Sequence, residues 1–257
     1  MIARSLEVPF PMPKTAPAGV VSSKISQWVA KNLNFTPDKL QTRILDSESN
    51  RLLLCCSRQW GKSTVAAAKA LYIALSKPKS LILAASASQR QSLELLETAR
   101  ALAPEKAKSR RNTLQFANGS RIVALPENPR TIRGFSAGSL VIIDEAAFVR
   151  DKFFEAITPT FATTNGALWL LSSAGEEKGF FYETWTRQPL GWQFYQATAA
   201  DCPRISKQFL EAERITRGQD AFDREYFCKF TAGPTQFLEK DLILAAWDDS
   251  VSVIDCE

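Results

Sequence analysis

Two short stretches carry residue types and spacings that can do chemistry. In Cys56-Ser57-Arg58-Gln59-Trp60-Gly61-Lys62-Ser63-Thr64, the Gly-Lys-Ser half of a phosphate-loop pattern is intact, while Cys56 stands where the pattern has its first glycine. Such a loop turns backbone N–H groups and a helix N-terminus toward a polyphosphate. Lys62 would then reach the β- and γ-phosphates and Ser63 would hold Mg²⁺. About 80 residues further on, the run Leu140-Val141-Ile142-Ile143 ends in Asp144-Glu145. Carboxylates at a buried strand tip suit two tasks: Asp144 can hold Mg²⁺ through its water shell, and Glu145 can polarise an attacking water. Each stretch has a plainer reading, a chance Gly-Lys-Ser at a helix start and an acid capping a helix from Ala146 onward. Their combination makes nucleotide hydrolysis the expectation.

The elements that would position these groups are legible as apolar runs. Leu52–Cys55, Leu81–Ala84, Leu140–Ile143 and Leu168–Leu171 are short and continuous, not alternating, as strands buried on both faces of a parallel sheet read. Lys62–Ser76 places Val65, Ala68, Tyr72 and Leu75 on one helical stripe, and Ser88–Leu102 does so with Leu93, Leu96 and Ala99. Strand–helix alternation predicts a doubly wound α/β sheet with its ligand at the carboxyl ends of the strands. Lys106–Asn112 reads as a basic loop, Asn118-Gly119 within Thr113–Leu125 as a hairpin turn, and Trp192–Ala197 as a further strand. Residues 205–229 read as helical, a C-terminal pair forming a small lid that ends near Gly233-Pro234.

Composition narrows the chemistry. The 257 residues include no histidine, which removes imidazole bases, Ser-His-Asp arrangements and His-containing zinc sites. Five cysteines, an odd number with no C-x-x-C pair, fit a reducing cytosol better than a disulfide framework. No run of about 18 apolar residues predicts a membrane span, and the proline-rich N-terminus (Pro9, Pro11, Pro13, Pro17) reads as an extended arm. The net charge of +5 conceals a polarity along the chain: residues 51–133 carry +11 and residues 134–257 carry −8. Such a distribution points to a polyanionic partner or to charged contacts between subunits.

Four motifs fall in a particular order. These are Ser57-Arg58-Gln59-Trp60-Gly61-Lys62-Ser63; Ile132-Arg133-Gly134 leading into Val141–Phe148; Leu170–Gly175 with Gly179–Trp185 behind it; and Arg224–Phe230. In these residues the chain resembles the ATPase domain of the large terminase subunit of tailed double-stranded-DNA bacteriophages, over roughly residues 35–240. The resemblance implies an ASCE-type P-loop NTPase fold, mostly parallel, with a small helical lid. It implies an arm and first helix over residues 1–34, an ATPase core over 35–200, a lid over 201–240 and a linker over 241–257. It also implies ATP and Mg²⁺ as cofactors, with Ser57, Arg58, Gln59, Trp60, Gly61, Lys62, Ser63 and Thr64 around the nucleotide and Ser63 and Asp144 toward the metal. Gln41 would read adenine, although by itself it reads as an exposed helix residue. Arg58 would sense the γ-phosphate, and Ser172-Ser173-Ala174 would couple hydrolysis to lid motion; the plainer alternatives are a surface arginine and a turn.

The family further implies an arginine inserted into a neighbouring subunit's site, which Arg133 resembles, with Arg130 able to take the part instead. Implied partners are double-stranded DNA, further copies in a ring of five, a portal protein and a small terminase subunit. The setting would be the cytoplasm of an infected bacterial host, at the procapsid portal, with no membrane. Lys106, Lys108, Arg110, Arg111 and Arg121 are candidate phosphate contacts to DNA, or otherwise a solvated charge run. Large terminases also carry a C-terminal nuclease domain. The acids Asp248, Asp249, Asp255 and Glu257 lack the surrounding strands of a two-metal site, so the expectation is a motor domain without DNA cleavage. A helicase-like translocase and a nucleotide-switched assembly protein that does not hydrolyse ATP are the alternative readings.

Overall fold

The computed structural model describes residues 24–104, 107–132, 135, 138–161, 165–202 and 204–232. The arm before Lys24, the proposed linker, Lys106 and Arg133 lie outside the described residues. The chain enters through two short helices, α1 (Ile25–Asn32) and α2 (Lys39–Leu45). A capping box starts α2: the Asp38 carboxylate accepts from the Leu40 and Gln41 N–H groups, and Gln41 Oε1 accepts from the Asp38 N–H. Next come β1 (Arg51–Cys56), α3 (Lys62–Ser76), β2 (Leu81–Ser86) and α4 (Gln89–Leu102).

Strands β3 (Lys108–Arg110), β4 (Thr113–Gln115) and β5 (Arg121–Leu125) follow, then the single turn α5 (Pro129–Ile132) and β6 (Leu140–Asp144). After a 3₁₀ turn at Ala146–Phe148 come α6 (Asp151–Ile157), β7 (Ala167–Ser172), α7 (Gly179–Arg187) and β8 (Trp192–Ala197). Helices α8 (Lys207–Arg217) and α9 (Gln219–Phe227) close the described chain, broken at Gly218. No described helix is long and apolar enough to cross a membrane.

The eight strands form one sheet in the order β3-β4-β5-β2-β6-β7-β1-β8. The pairs from β5 through β8 are parallel, and the β3–β4 and β4–β5 pairs are antiparallel. Strand β7 lies between β1 and β6, as expected for an ASCE-type P-loop NTPase, so the acidic tip and the phosphate loop are one strand apart. The continuous apolar runs divide by parity. Leu52, Leu54, Cys56, Ile82, Ala84, Ile142, Trp169 and Leu171 face one core, shared with Val65–Ala68, Leu95 and Leu96. Leu53, Cys55, Leu83, Ala85, Val141, Ile143 and Leu170 face the other, with Phe153, Ile157, Phe180 and Phe181 of α6 and α7. A small third cluster of Ala199, Phe222 and Tyr226 joins α9 to the end of the sheet.

Three local expectations need correction. Lys108–Arg110 is a strand, not loop, because β4 offers an unpaired edge on which Lys108 pairs with Gln115 and Arg110 with Thr113. On α4 the buried stripe is Ser92, Leu95, Leu96 and Ala99, with Leu93 only half-buried. On α3, Tyr72 and Leu75 are half-buried while Val65–Leu71 are buried on every side, because α4 and α1 cover the faces the stripe would have left open. The hairpin at Asn118-Gly119 is present, with Gln115 opposite Arg121 across β4 and β5. Cys55, Cys56, Cys202 and Cys228 are free and buried.

Candidate active site

The loop between β1 and α3 is pinned by its backbone. The Ser57 N–H donates to the Ala197 carbonyl at 2.7 Å, and the Arg58 N–H donates to the Glu225 carbonyl at 3.1 Å. The chain then takes positive φ at Gln59 (61°) and at Gly61 (103°), the residue that opens α3. A side chain at Gly61 would be strained by that φ, and its Cβ would stand 3.3 Å from Gln41 Nε2. The turn delivers Lys62 and Ser63 at the first positions of α3, where unpaired helix N–H groups point outward. Thr64 is half-buried behind them.

The acids arrive from β6, one strand beyond β7. Lys62 Nζ lies 2.9 Å from Glu145 Oε1, and Ser63 Oγ donates to Asp144 Oδ2 at 3.1 Å. Asp144 Oδ1 accepts the Glu145 N–H at 3.0 Å, and Ser172 Oγ, at the tip of β7, donates to Glu145 Oε2 at 3.5 Å. Glu145 sits in the left-handed region at φ 53°, ψ 42°, a conformation that costs a non-glycine residue about 1–2 kcal/mol. Its side chain makes no cap bond; the chain turns through Ala146–Phe148 before α6 begins at Asp151, so the simple capping alternative does not describe it.

Burial works to lower the pKa of Lys62, but Asp144 and Glu145 outweigh it and hold the ammonium above its usual range. Burial raises the Asp144 carboxyl, with Lys62 opposing and Glu145 adding to the effect. Burial also pushes the Cys56 thiol well up, so it is no nucleophile. Lys62, Ser63, Gln91, Glu94, Asp144 and Glu145 line a cavity of about 270 Å³. The hydroxyl of Ser63 and the carboxylate of Asp144 converge as hard oxygen donors, and no cluster of three or more metal-binding acids, cysteines or histidines exists among the described residues. That donor set fits Mg²⁺, which keeps most of its shell as water and phosphate oxygen, and not a metal needing a full protein cage.

Beside the loop, Gln41 is buried, not exposed as its helix position implies. Its Nε2 donates to the Trp60 carbonyl at 3.4 Å, and Arg204 Nη2 donates to the same oxygen at 2.7 Å. Arg204 carries no local sequence signal and was not among the expected residues. Neither was Glu225, whose carboxylate lies 2.5 Å from Arg58 Nε while the Arg58 side chain remains 59% exposed. Ser173 and Ala174 are buried behind Ser172. That segment is tied back to the chain just after α9: the Thr231 N–H donates to the Gly175 carbonyl, and Thr231 bridges Glu176.

The remaining expected residues lie away from this cluster. Arg130 is exposed on α5. Lys108, Arg110, Arg111 and Arg121 are exposed at the β3 edge of the sheet. Lys108 pairs with Gln115 and Gln115 with Arg121, so both cations share one face with Arg110. Leu114, one residue out of phase, faces the opposite core.

The family model for the N-terminal part of terminase large subunits of the T4-like virus type matches residues 53–243. The chain belongs to the terminase large-subunit family. The terminase chain is similar in fold to the large terminase ATPase domain of Thermus phage P74-26 (TM-score 0.71, 21% identity), covering 81% of this chain and 100% of that one. It is also similar to the bacteriophage HK97 large terminase (TM-score 0.67, 17% identity), covering 80% of this chain and 55% of that one. A third likeness is the large terminase of a thermophilic bacteriophage solved with ATP-gamma-S (TM-score 0.63, 15% identity), covering 75% and 52%. The terminase chain thus spans about half the length of the latter two. No curated protein matches it in sequence.

Proposed function

We propose that this domain hydrolyses ATP with Mg²⁺ to drive double-stranded DNA into a procapsid. The observation that supports the reading best is the convergence of Lys62, Ser63, Asp144, Glu145 and Ser172 at the carboxyl ends of three adjacent parallel strands. Lys62 would leave Glu145 for the β- and γ-phosphates, and Ser63 and Asp144 would hold Mg²⁺, which supplies charge neutralisation to the phosphates when bound. Glu145, freed from Lys62 and still steadied by Ser172, would orient the attacking water. Ser57–Thr64 would cradle the phosphates, and Gln41 with Arg204 would border the base. Arg58 would exchange Glu225 for the γ-phosphate, and Ser172-Ser173-Ala174 would carry the change toward Thr231 and the lid.

The same proposal divides the chain into arm and first helix (1–34), core (35–200), lid (201–240) and linker (241–257). It includes a ring of five copies with Arg133, or else Arg130, acting across the interface. The portal protein and a small terminase subunit are its other partners, in the cytoplasm of the infected host. The test is Glu145→Gln, assayed for ATP turnover and for nucleotide affinity at high protein concentration. Turnover is expected to fall at least about 100-fold while affinity changes less than about threefold. Equal turnover in the two proteins would remove Glu145 from catalysis, and no turnover in either would favour a nucleotide-switched assembly role.

A further inference from the structure

Lys69 is the one charged residue in the apolar stretch Val65-Ala66-Ala67-Ala68-Lys69-Ala70-Leu71 of α3, seven residues after Lys62. At 1.5 Å per residue this sets it about 10 Å farther along the helix. The residue is only 7% exposed. Its ammonium donates to the Leu45 carbonyl at 3.0 Å, at the C-terminus of α2, and lies 5.1 Å from the centre of the Trp169 ring. An ammonium has three N–H donors, and one oxygen is the only hydrogen-bond acceptor it meets among the described residues.

No carboxylate of the described residues pairs with it. Asp46 is near enough to act on it through charge, but each of its oxygens accepts a bond from Ser26, from the N–H at 2.8 Å and the hydroxyl at 2.7 Å, and neither forms an ion pair with Lys69. Lys69 borders a cavity of about 800 Å³ whose walls include Lys24, Lys77, Ser139, Asn165 and Tyr72. Asn50, Ser139 and Gly166, which also line it, immediately precede β1, β6 and β7. The cavity therefore lies at the amino ends of the strands whose carboxyl ends carry the phosphate loop and Glu145.

We propose that this cavity is a second ligand site, one that takes a small tetrahedral oxyanion of the sulfate or phosphate type with Lys69 as its central cation. The buried ammonium has unspent donors and no counter-charge bonded to it, and an oxyanion supplies both. Lys24 and Lys77 add positive charge at the walls. Two acids share the lining, Asp46, hydrogen-bonded to Ser26 of α1 but still charged, and Glu48, which is exposed, against the three lysines Lys24, Lys69 and Lys77. Burial pulls the Lys69 pKa down to about 8, with Asp46 opposing and Lys77 adding to the shift. A bound anion favours the charged form and raises that pKa again, so anion affinity should fall as pH rises above about 8.

Sulfate is the appropriate probe, since its charge is constant through this range, and Lys62→Ala weakens the phosphate loop as a competing site by taking away its cation. Calorimetric titration of sulfate into Lys62→Ala is expected to show one site near pH 7. Its affinity should be at least about tenfold weaker near pH 9.5, and at least about tenfold weaker in Lys62→Ala/Lys69→Met near pH 7. Thermal unfolding checks that the double variant is folded, and if it is not, the pH comparison decides by itself. Phosphate and acetate arms separate a tetrahedral oxyanion from any carboxylate. No sulfate binding by Lys62→Ala, affinity unchanged by pH, or affinity equal for acetate would overturn the proposal.

Discussion

Glu145 shows how much of the site is settled by single residues. It adopts a left-handed backbone that glycine or asparagine would take more cheaply, and its carboxylate is shared between Lys62 and Ser172. Gln41 is constrained in a different way. Its Oε1 accepts the Asp38 N–H in the capping box, while its Nε2 and Arg204 both donate to the Trp60 carbonyl. One lone pair of Oε1 remains, but the capping box fixes its direction, so the amide is not free to turn toward the exocyclic amine of adenine. The expected outcome is that kcat/KM for GTP lies within about tenfold of that for ATP, because an amide held in the capping box discriminates weakly between the two bases. Steady-state hydrolysis of both nucleotides checks this, and a preference for ATP above about 100-fold would mean that Gln41 leaves the capping box when nucleotide binds.

At the scale of elements, the tip of β6 and the tip of β7 are locked together. A Cβ added to Gly175 would stand 3.0 Å from Ala147 Cβ, and the Ala147 N–H donates to Ser172 Oγ. The other junction, between the phosphate loop and α9, is polar and partly wet: Arg58 and Glu225 pair there with the Arg58 side chain largely exposed. Glu225 is itself buried, but its partner guanidinium is largely in water, which screens the pair and holds its contribution to about 1 kcal/mol. Glu225→Gln should therefore leave urea unfolding within about 1 kcal/mol of the parent. By freeing Arg58 it should lower KM for ATP a few-fold, about two- to fivefold. Steady-state kinetics beside the urea curves separates these outcomes; a large stability loss with KM unmoved would make the pair purely structural.

Over the whole molecule, exposed basic charge gathers at one edge of the sheet. The basic segment supplies β3, β4 and β5 there, with Lys108, Arg110, Arg111 and Arg121 exposed, although its β1 lies between β7 and β8 of the acidic segment. If Lys108, Arg110 and Arg121 touch DNA phosphates, replacing all three by alanine should reduce the slope of log affinity against log salt by about 2.7, at roughly 0.9 per phosphate contact. Fluorescence anisotropy with a random duplex at several salt concentrations measures that slope. An unchanged slope would move the DNA path to another face of the domain.

The sequence by itself determined what neighbouring residues settle. Apolar runs without alternation marked the strands buried on both faces, and Gly61-Lys62-Ser63 and Asp144-Glu145 were legible because a turn or a strand tip is formed by contiguous chain. The tertiary structure decided what depends on distant segments. Arg204 reaches Trp60 across 144 positions and Glu225 reaches Arg58 across 167, and no local pattern encodes either meeting. Lys108-Ser109-Arg110 has little apolar or β-branched character and becomes a strand only because β4 leaves a hydrogen-bonding edge open beside it. Lys69 reads as one polar position in a helix until α2, Trp169 and the far ends of the strands close around it. Burial and pairing are properties of the packed chain, and the packing sets their energies.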